Sequence, residues 1–159
     1  MEIRRYKFGE EEAVWQVYYR STREVISREY TPEQVKRWAP DIIDQKEWTQ
    51  RLIKKNPFVA VANDKIVGFA ELEPDGHIDR FYCLPEWVGK GVGTQLLNSI
   101  EREAFATGIE RLFAESSTLA IGFFKSKGFE VVEERINTVC EAPARQYLIE
   151  KNLVDQGSK

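Results

Sequence analysis

Apolar positions along the chain recur with two periods, and each period marks a different element. Ala13, Val14, Val17 and Tyr18 fall at helical spacing, so residues 10–26 read as an amphipathic helix behind a first strand at 3–8. Thr31-Pro32-Glu33 has the form of an N-cap with proline at the first helical position. A short helix therefore runs to Trp38 and stops before Pro40. A further helix is predicted over 44–54. The apolar runs 58–62 and 66–72 flank Asn63-Asp64-Lys65 and read as a hairpin. Pro74-Asp75-Gly76 turns the chain again, and 77–84 supplies the next strand of a meander. Val92, Leu96, Leu97, Ile100 and Ala104 return to helical spacing until Thr107-Gly108 ends the helix. A strand at 111–115, a short helix at 118–127 stopped by Gly128, and strands at 129–139 and 145–150 joined around Glu141-Ala142-Pro143 complete the series.

This order predicts an α/β fold: a mixed, mostly antiparallel sheet with helices on both faces. The long helix makes a right-handed parallel crossover from the fourth strand to the fifth. No repeat or linker interrupts it, so residues 1–159 are expected to form one domain with its core at about 2–152. At 159 residues and 42% hydrophobic content the chain can bury a substantial core. No apolar run reaches the length of a membrane span, and Met1-Glu2-Ile3-Arg4-Arg5 lacks a signal-type apolar stretch. Two cysteines, Cys83 and Cys140, make no disulfide framework and fit free thiols in a reducing compartment. A cytoplasmic protein without a membrane partner is the expectation. A net charge of -3 without a basic block argues against nucleic acid.

The chemistry concentrates at Gly89-Lys90-Gly91-Val92-Gly93-Thr94, between a strand and a helix. The first turn of a helix leaves backbone N–H groups without partners, and its dipole favours an anion. Glycine lets the backbone approach that anion and take positive φ, and Lys90 adds charge. A loop that only packs is the plainer alternative. The stretch lacks the Gly-Lys-Ser/Thr ending of a P-loop, and its third glycine comes one residue early for a dinucleotide fingerprint.

Residues 85–97, from Pro85-Glu86-Trp87-Val88 through the glycines to Leu97, resemble the coenzyme A loop of the GCN5-related N-acetyltransferases (GNAT). Ala120-Ile121-Gly122-Phe123-Phe124-Lys125-Ser126-Lys127-Gly128-Phe129 resembles the later A-x-x-F-Y-x-x-x-G-F motif of that family. The resemblance covers roughly residues 58–150. It implies the acyl-CoA N-acyltransferase fold, splayed open between its fourth and fifth strands. Acetyl-CoA would lie in the gap, its pantetheine along the backbone of Phe81, Tyr82 and Cys83. Its pyrophosphate would meet the N–H groups of Gly89, Lys90, Gly91, Val92, Gly93 and Thr94. Ser117 falls where many members carry an asparagine that touches the coenzyme. The sequence departs from the pattern twice: Val88 replaces an Arg/Gln, and Phe124 replaces the tyrosine that protonates the leaving thiolate.

The resemblance implies acetyl transfer by direct attack of a primary amine on the thioester. That chemistry needs a polarised carbonyl, a proton acceptor for the amine and aligned reactants. Glu115, at the end of the fifth strand, is one candidate acceptor; a solvated strand-end glutamate is the equal alternative. His77, the only histidine, titrates in the right range but also fits an ordinary strand end. Glu71 and Glu73 are weaker candidates that share one face by alternation. Tyr147 or Tyr82 would replace the hydroxyl missing at Phe124, or water would. Cys83, His77 and Asp79 share strand parity, but residues 77 and 83 lie about 20 Å apart on an extended strand, which excludes a Cys–His pair. Cys83 and Cys140 lack the spacing of a zinc site, so no metal is expected.

Aromatic residues crowd the N-terminal third. Most are read as core, while Tyr30 and Trp38 are kept as acceptor contacts because a chain breaker follows each. A small-molecule amine is the expected acceptor, with a protein amine as the alternative. A non-catalytic acyl-CoA-binding module and a fold-only interaction protein are the other classes. Family members often dimerise, so a homodimer is a further expectation.

Overall fold

The computed structural model describes residues 1–28, 30–139 and 142–153. Strand β1 (Glu2–Arg5) leads to α1 (Glu11–Glu24), a single 3-10 turn, α2 (Pro32–Trp38) and α3 (Gln45–Lys55). The meander β2 (Phe58–Ala62), β3 (Lys65–Leu72) and β4 (Ile78–Cys83) follows. Then come α4 (Val92–Ala106), β5 (Arg111–Ser116), α5 (Ile121–Ser126), β6 (Glu130–Val139) and β7 (Ala142–Asn152).

The boundaries follow from local chemistry. β1 ends at Arg5 rather than residue 8, because Lys7 N–H turns to Glu10 Oε1 at 2.8 Å and starts the approach to α1. Asn63 and Asp64 both take positive φ (52° and 60°), the signature of a two-residue hairpin turn, so Lys65 already belongs to β3. Thr31 and Gln34 cap α2 reciprocally, side chain to backbone, at 3.2 and 2.8 Å. β7 begins at Ala142 rather than 145. Cys140 and Glu141, between β6 and β7, lie outside the described residues.

Two half-sheets result, β1-β2-β3-β4 and β5-β7-β6, each antiparallel throughout. Only the base of β4 meets β5: His77 and Phe113 form a lone parallel bridge, and Phe113 N–H donates to Gly76 O at 3.0 Å. Gly76 has φ 97°, and a Cβ there would lie 2.0 Å from Arg111 O. The two strands can therefore meet there only at a glycine. Beyond this point β4 and β5 part, as the family resemblance implies.

The helices take opposite faces of the first half-sheet. Tyr18 of α1 packs edge-on to Tyr82, which also meets Phe69. On the other face, a Cβ at Gly68 would lie 2.7 Å from Val92 Cγ1, so the first turn of α4 sits directly on β3. One buried core joins both layers through Val14, Phe69, Leu96, Ile100, Leu112 and Ile149, each fully excluded from solvent.

Candidate active site

The parting of β4 and β5 opens a cavity of about 860 Å³. At one end stand the glycine loop, Phe81, Cys83, Ser117 and Phe123. Pairing with β3 decides which backbone groups of β4 face the gap. Leu84 N–H donates to Val67 O at 2.8 Å, and Tyr82 lies opposite Phe69 two residues earlier in the same register. Antiparallel alternation then turns the N–H and C=O of Tyr82 toward β3 and those of Phe81 and Cys83 toward the gap. The Tyr82 ring still reaches the cavity, from the α1 face.

The glycine loop has the geometry of an anion cradle. Gly89 and Gly91 take φ 78° and 87°, and a Cβ at either would project into open space. Gly91 is the N-cap of α4, and no side chain caps that end. The first intrahelical bond runs from Gln95 N–H to Gly91 O at 3.1 Å, so the N–H groups of Val92, Gly93 and Thr94 precede the helical ladder. Gly93 packs against Phe123, 3.0 Å from the position of a Cβ. Lys90 is not part of the lining; its ammonium lies 5.4 Å from the centre of the Trp87 ring. Arg20 of α1 grips Glu86 with two bonds of 2.8 Å, which ties the turn before the loop to the opposite layer. These features suit a coenzyme whose phosphates are held by backbone dipoles rather than by side-chain cations.

Glu115 lines the cavity from β5. Its Oε1 lies 2.7 Å from His77 Nε2, while His77 Nδ1 lies 2.5 Å from Glu73 Oε1. The imidazole stacks on Phe113 at 5.1 Å. Burial disfavours the imidazolium, but the bonds to Glu73 and Glu115 outweigh it and raise His77 above its usual pKa. The chain of charges continues with alternating sign: Lys55 bonds Glu73 at 2.9 Å and Asp79 at 3.2 Å, and Arg51 bonds Asp79 at 3.1 Å and Glu71 at 2.7 Å. Burial pushes up the pKa of Asp79, yet its bonds to Lys55 and Arg51 prevail and hold it below the usual range. Burial pushes the Glu71 carboxyl up despite Arg51.

A bulge makes this chain of charges geometrically possible. Ala70 pairs with Phe81 and Leu72 with Ile78, so Asp79 and Arg80 together oppose Glu71. The simple parity that set His77, Asp79 and Cys83 on one side of β4 is broken there. Arg80 lies over the rings of Tyr18 and Trp48, at 4.3 and 5.6 Å.

At the far end of the cavity Tyr30 and Trp38 meet edge to face at 4.7 Å and both line the wall. The Tyr30 hydroxyl faces Arg145 O at 3.5 Å, bringing the helical arm up to β7. Ser117 accepts a bond from Ala120 N–H at 3.3 Å and remains part of the lining. Tyr147 sits in the β5–β7 ladder opposite Ser116 and is not part of the lining; its neighbour Gln146 is. Phe124 is buried against Phe81, Phe123 and Phe129. Sequence reasoning missed Thr22 and the role of Glu73 as the partner of His77. The signal for Thr22 was a hydroxyl one turn after Tyr18 on the apolar face of α1. For Glu73 it was a carboxylate four residues before the only histidine.

A strand gap beside an uncapped, glycine-led helix defines an α/β protein built to hold an acyl coenzyme. The family described as the acetyltransferase (GNAT) domain matches residues 26–138, and the chain belongs to it. Membership makes it an N-acetyltransferase with acetyl-CoA as acetyl donor. The chain is 28% identical over 135 residues to an N-acetyltransferase of Escherichia coli, YafP, described as uncharacterised; the match covers 85% of each. It is 29% identical over 134 residues to the peptidyl-lysine N-acetyltransferase YjaB of Salmonella typhimurium, covering 81% of this chain and 83% of that one. Among solved structures it is similar to a GCN5-related N-acetyltransferase (aminotransferase, class-II) from Rhodopseudomonas palustris. That likeness has a TM-score of 0.87 and 27% identity, covering 96% of this chain and 95% of the other. Among the described residues no group of metal-ligating side chains could hold an ion, and no helix is long and apolar enough to cross a membrane.

Proposed function

We propose that this enzyme acetylates the primary amine of a small molecule, and that Glu115 accepts the proton that the amine must lose. The observation that carries this reading is the continuity of one cavity, from the uncapped glycine loop past Glu115 to the aromatic wall of Tyr30 and Trp38. When bound, acetyl-CoA supplies the thioester carbon that the amine attacks and the thiolate that leaves. Phe81 and Cys83 align it through the backbone groups that β5 leaves unpaired, and their N–H groups polarise the carbonyl. The N–H groups of Val92, Gly93 and Thr94 hold the pyrophosphate.

Glu115 holds the incoming ammonium, takes one proton and leaves nitrogen with a lone pair to attack. His77, fixed by Glu73, keeps Glu115 in place. Phe124 offers no proton to the leaving sulfur, Tyr147 lies outside the cavity, and burial pushes the Tyr82 phenol above its usual range. The thiolate therefore draws its proton from solvent.

A protein lysine is the second reading, favoured by the name of the Salmonella relative. The approach of Tyr30 to β7 favours the small molecule, because the arm narrows the acceptor end. Thiol release from acetyl-CoA, measured with a panel of small primary amines and with lysyl peptides, separates the two. The expected result is turnover with small amines that falls about 10²- to 10⁴-fold in Glu115→Gln. Turnover with lysyl peptides alone would reverse the choice of acceptor, and an unchanged rate in Glu115→Gln would remove its role as base.

A further inference from the structure

The acceptor end of the cavity carries an unusual balance of groups. Its wall is aromatic or apolar at Tyr18, Val25, Tyr30, Trp38 and Tyr82. Among the described residues, the only ionised side chains anywhere on the lining are Asp79 and Glu115, both carboxylates. The nearby cations lie outside the lining. Arg51 and Lys55 bond the acids beside them, and Arg80 lies over the rings of Tyr18 and Trp48 with its Nη1 buried and unpartnered. A cationic amine therefore finds acids and ring faces, whereas a carboxylate on the same molecule would lose its water and meet no cation on the lining.

A second observation concerns Thr22. It is 1% exposed and lines the cavity, and no protein group donates to its Oγ1. The Tyr18 hydroxyl one turn earlier donates its only proton to Trp38 O at 2.7 Å, so toward Thr22 its oxygen can only accept, and the lone pairs of Thr22 stay open. A buried hydroxyl oxygen left without a donor is a place for a donor group of a ligand.

Resting on the acetyltransferase reading above, we propose that the acceptor is an arylalkyl primary amine. It carries no anionic group and bears a hydrogen-bonding substituent on its aromatic body that meets Thr22. The amine lies at Glu115, the ring lies against Tyr30 and Trp38, and the substituent satisfies the Thr22 hydroxyl. The transfer itself is unchanged: Glu115 takes the first ammonium proton and returns it to solvent, the N–C bond forms as the C–S bond breaks, the second nitrogen proton leaves to solvent, and the thiolate gains one proton from solvent.

The test uses four matched acceptors at saturating acetyl-CoA, read as thiol release: 2-phenylethylamine, tyramine, phenylalanine and tyrosine. The amines should exceed the amino acids in kcat/KM by about tenfold or more. Tyramine should exceed 2-phenylethylamine. Thr22→Val should abolish that second advantage and Thr22→Ser should keep it, with the stabilisation by acetyl-CoA retained in both as the check on folding. Amino acids used as well as the amines would overturn the anion-free acceptor. An unchanged tyramine preference in Thr22→Val would overturn the Thr22 contact. Turnover of lysyl peptides but none of these four would overturn this inference and leave the enzyme an acetyltransferase. No thiol release with any amine would overturn the amine-acetylation reading itself.

Discussion

His77 shows how much of the candidate site depends on one proton. Both its ring nitrogens face carboxylate oxygens, Glu73 at 2.5 Å and Glu115 at 2.7 Å. Only the imidazolium has two N–H groups, so it satisfies both, whereas the neutral ring satisfies one. Because the folded pKa is raised, the stability this residue adds is fully present below the unfolded value of about 6.5 and is lost as pH rises through the folded value. The stability gap between wild type and His77→Gln should therefore be widest near pH 5–6 and narrow steadily on the alkaline side of about pH 6.5. Denaturant unfolding at a series of pH values reads it, and a gap that widens with pH would contradict the bridge. The sequence singled out both His77 and Glu115 but offered them as alternatives. Their contact depends on the parallel bridge between two strands far apart in the chain, which no local pattern reveals. Tyr147 had the right chemistry for a proton donor, but the β5–β7 ladder holds it outside the cavity.

Among the elements, the glycine loop with the first turn of α4 was the most legible. Local spacing dictates it: three alternate glycines, then apolar residues at helical intervals. The bulge in β4 was illegible, because an extra residue leaves no mark in a run of Ile78-Asp79-Arg80-Phe81, yet it sets Asp79 and Arg80 together opposite Glu71. The span of β7 was also under-read. The stretch Ala142-Pro143-Ala144 carries no strand signal of its own, and long-range pairing with β6 extends it. At the loop, Gly91→Ala separates fold from binding. Its Cβ meets nothing in the protein, but φ of 87° costs an L residue about 1–2 kcal/mol of stability. Affinity for acetyl-CoA should fall about tenfold or more beyond that, since the Cβ enters the face of the cradle. Calorimetric titration beside thermal unfolding separates the two effects, and stability lost at unchanged affinity would remove the loop from the coenzyme site.

For the whole molecule, two antiparallel half-sheets meet at a hinge of one bridge and one hydrogen bond and then part. The meander, the crossover helix and the final hairpin follow from alternation and turn residues, so the order of elements was readable along the chain. The strand order β5-β7-β6 and the gap between β4 and β5 are properties of pairing; the first is absent from the sequence reading and the second entered it only through family resemblance. The central claim is that this gap and the uncapped end of α4 together hold acetyl-CoA. Thermal unfolding with and without acetyl-CoA, with adenosine nucleotides as controls, tests it most directly. A ligand bound to the native state alone at 100 times its dissociation constant should add about 2.7 kcal/mol, seen as a clear rise in Tm specific to the acyl coenzyme. No rise at saturating concentration would contradict the site and every step derived from it.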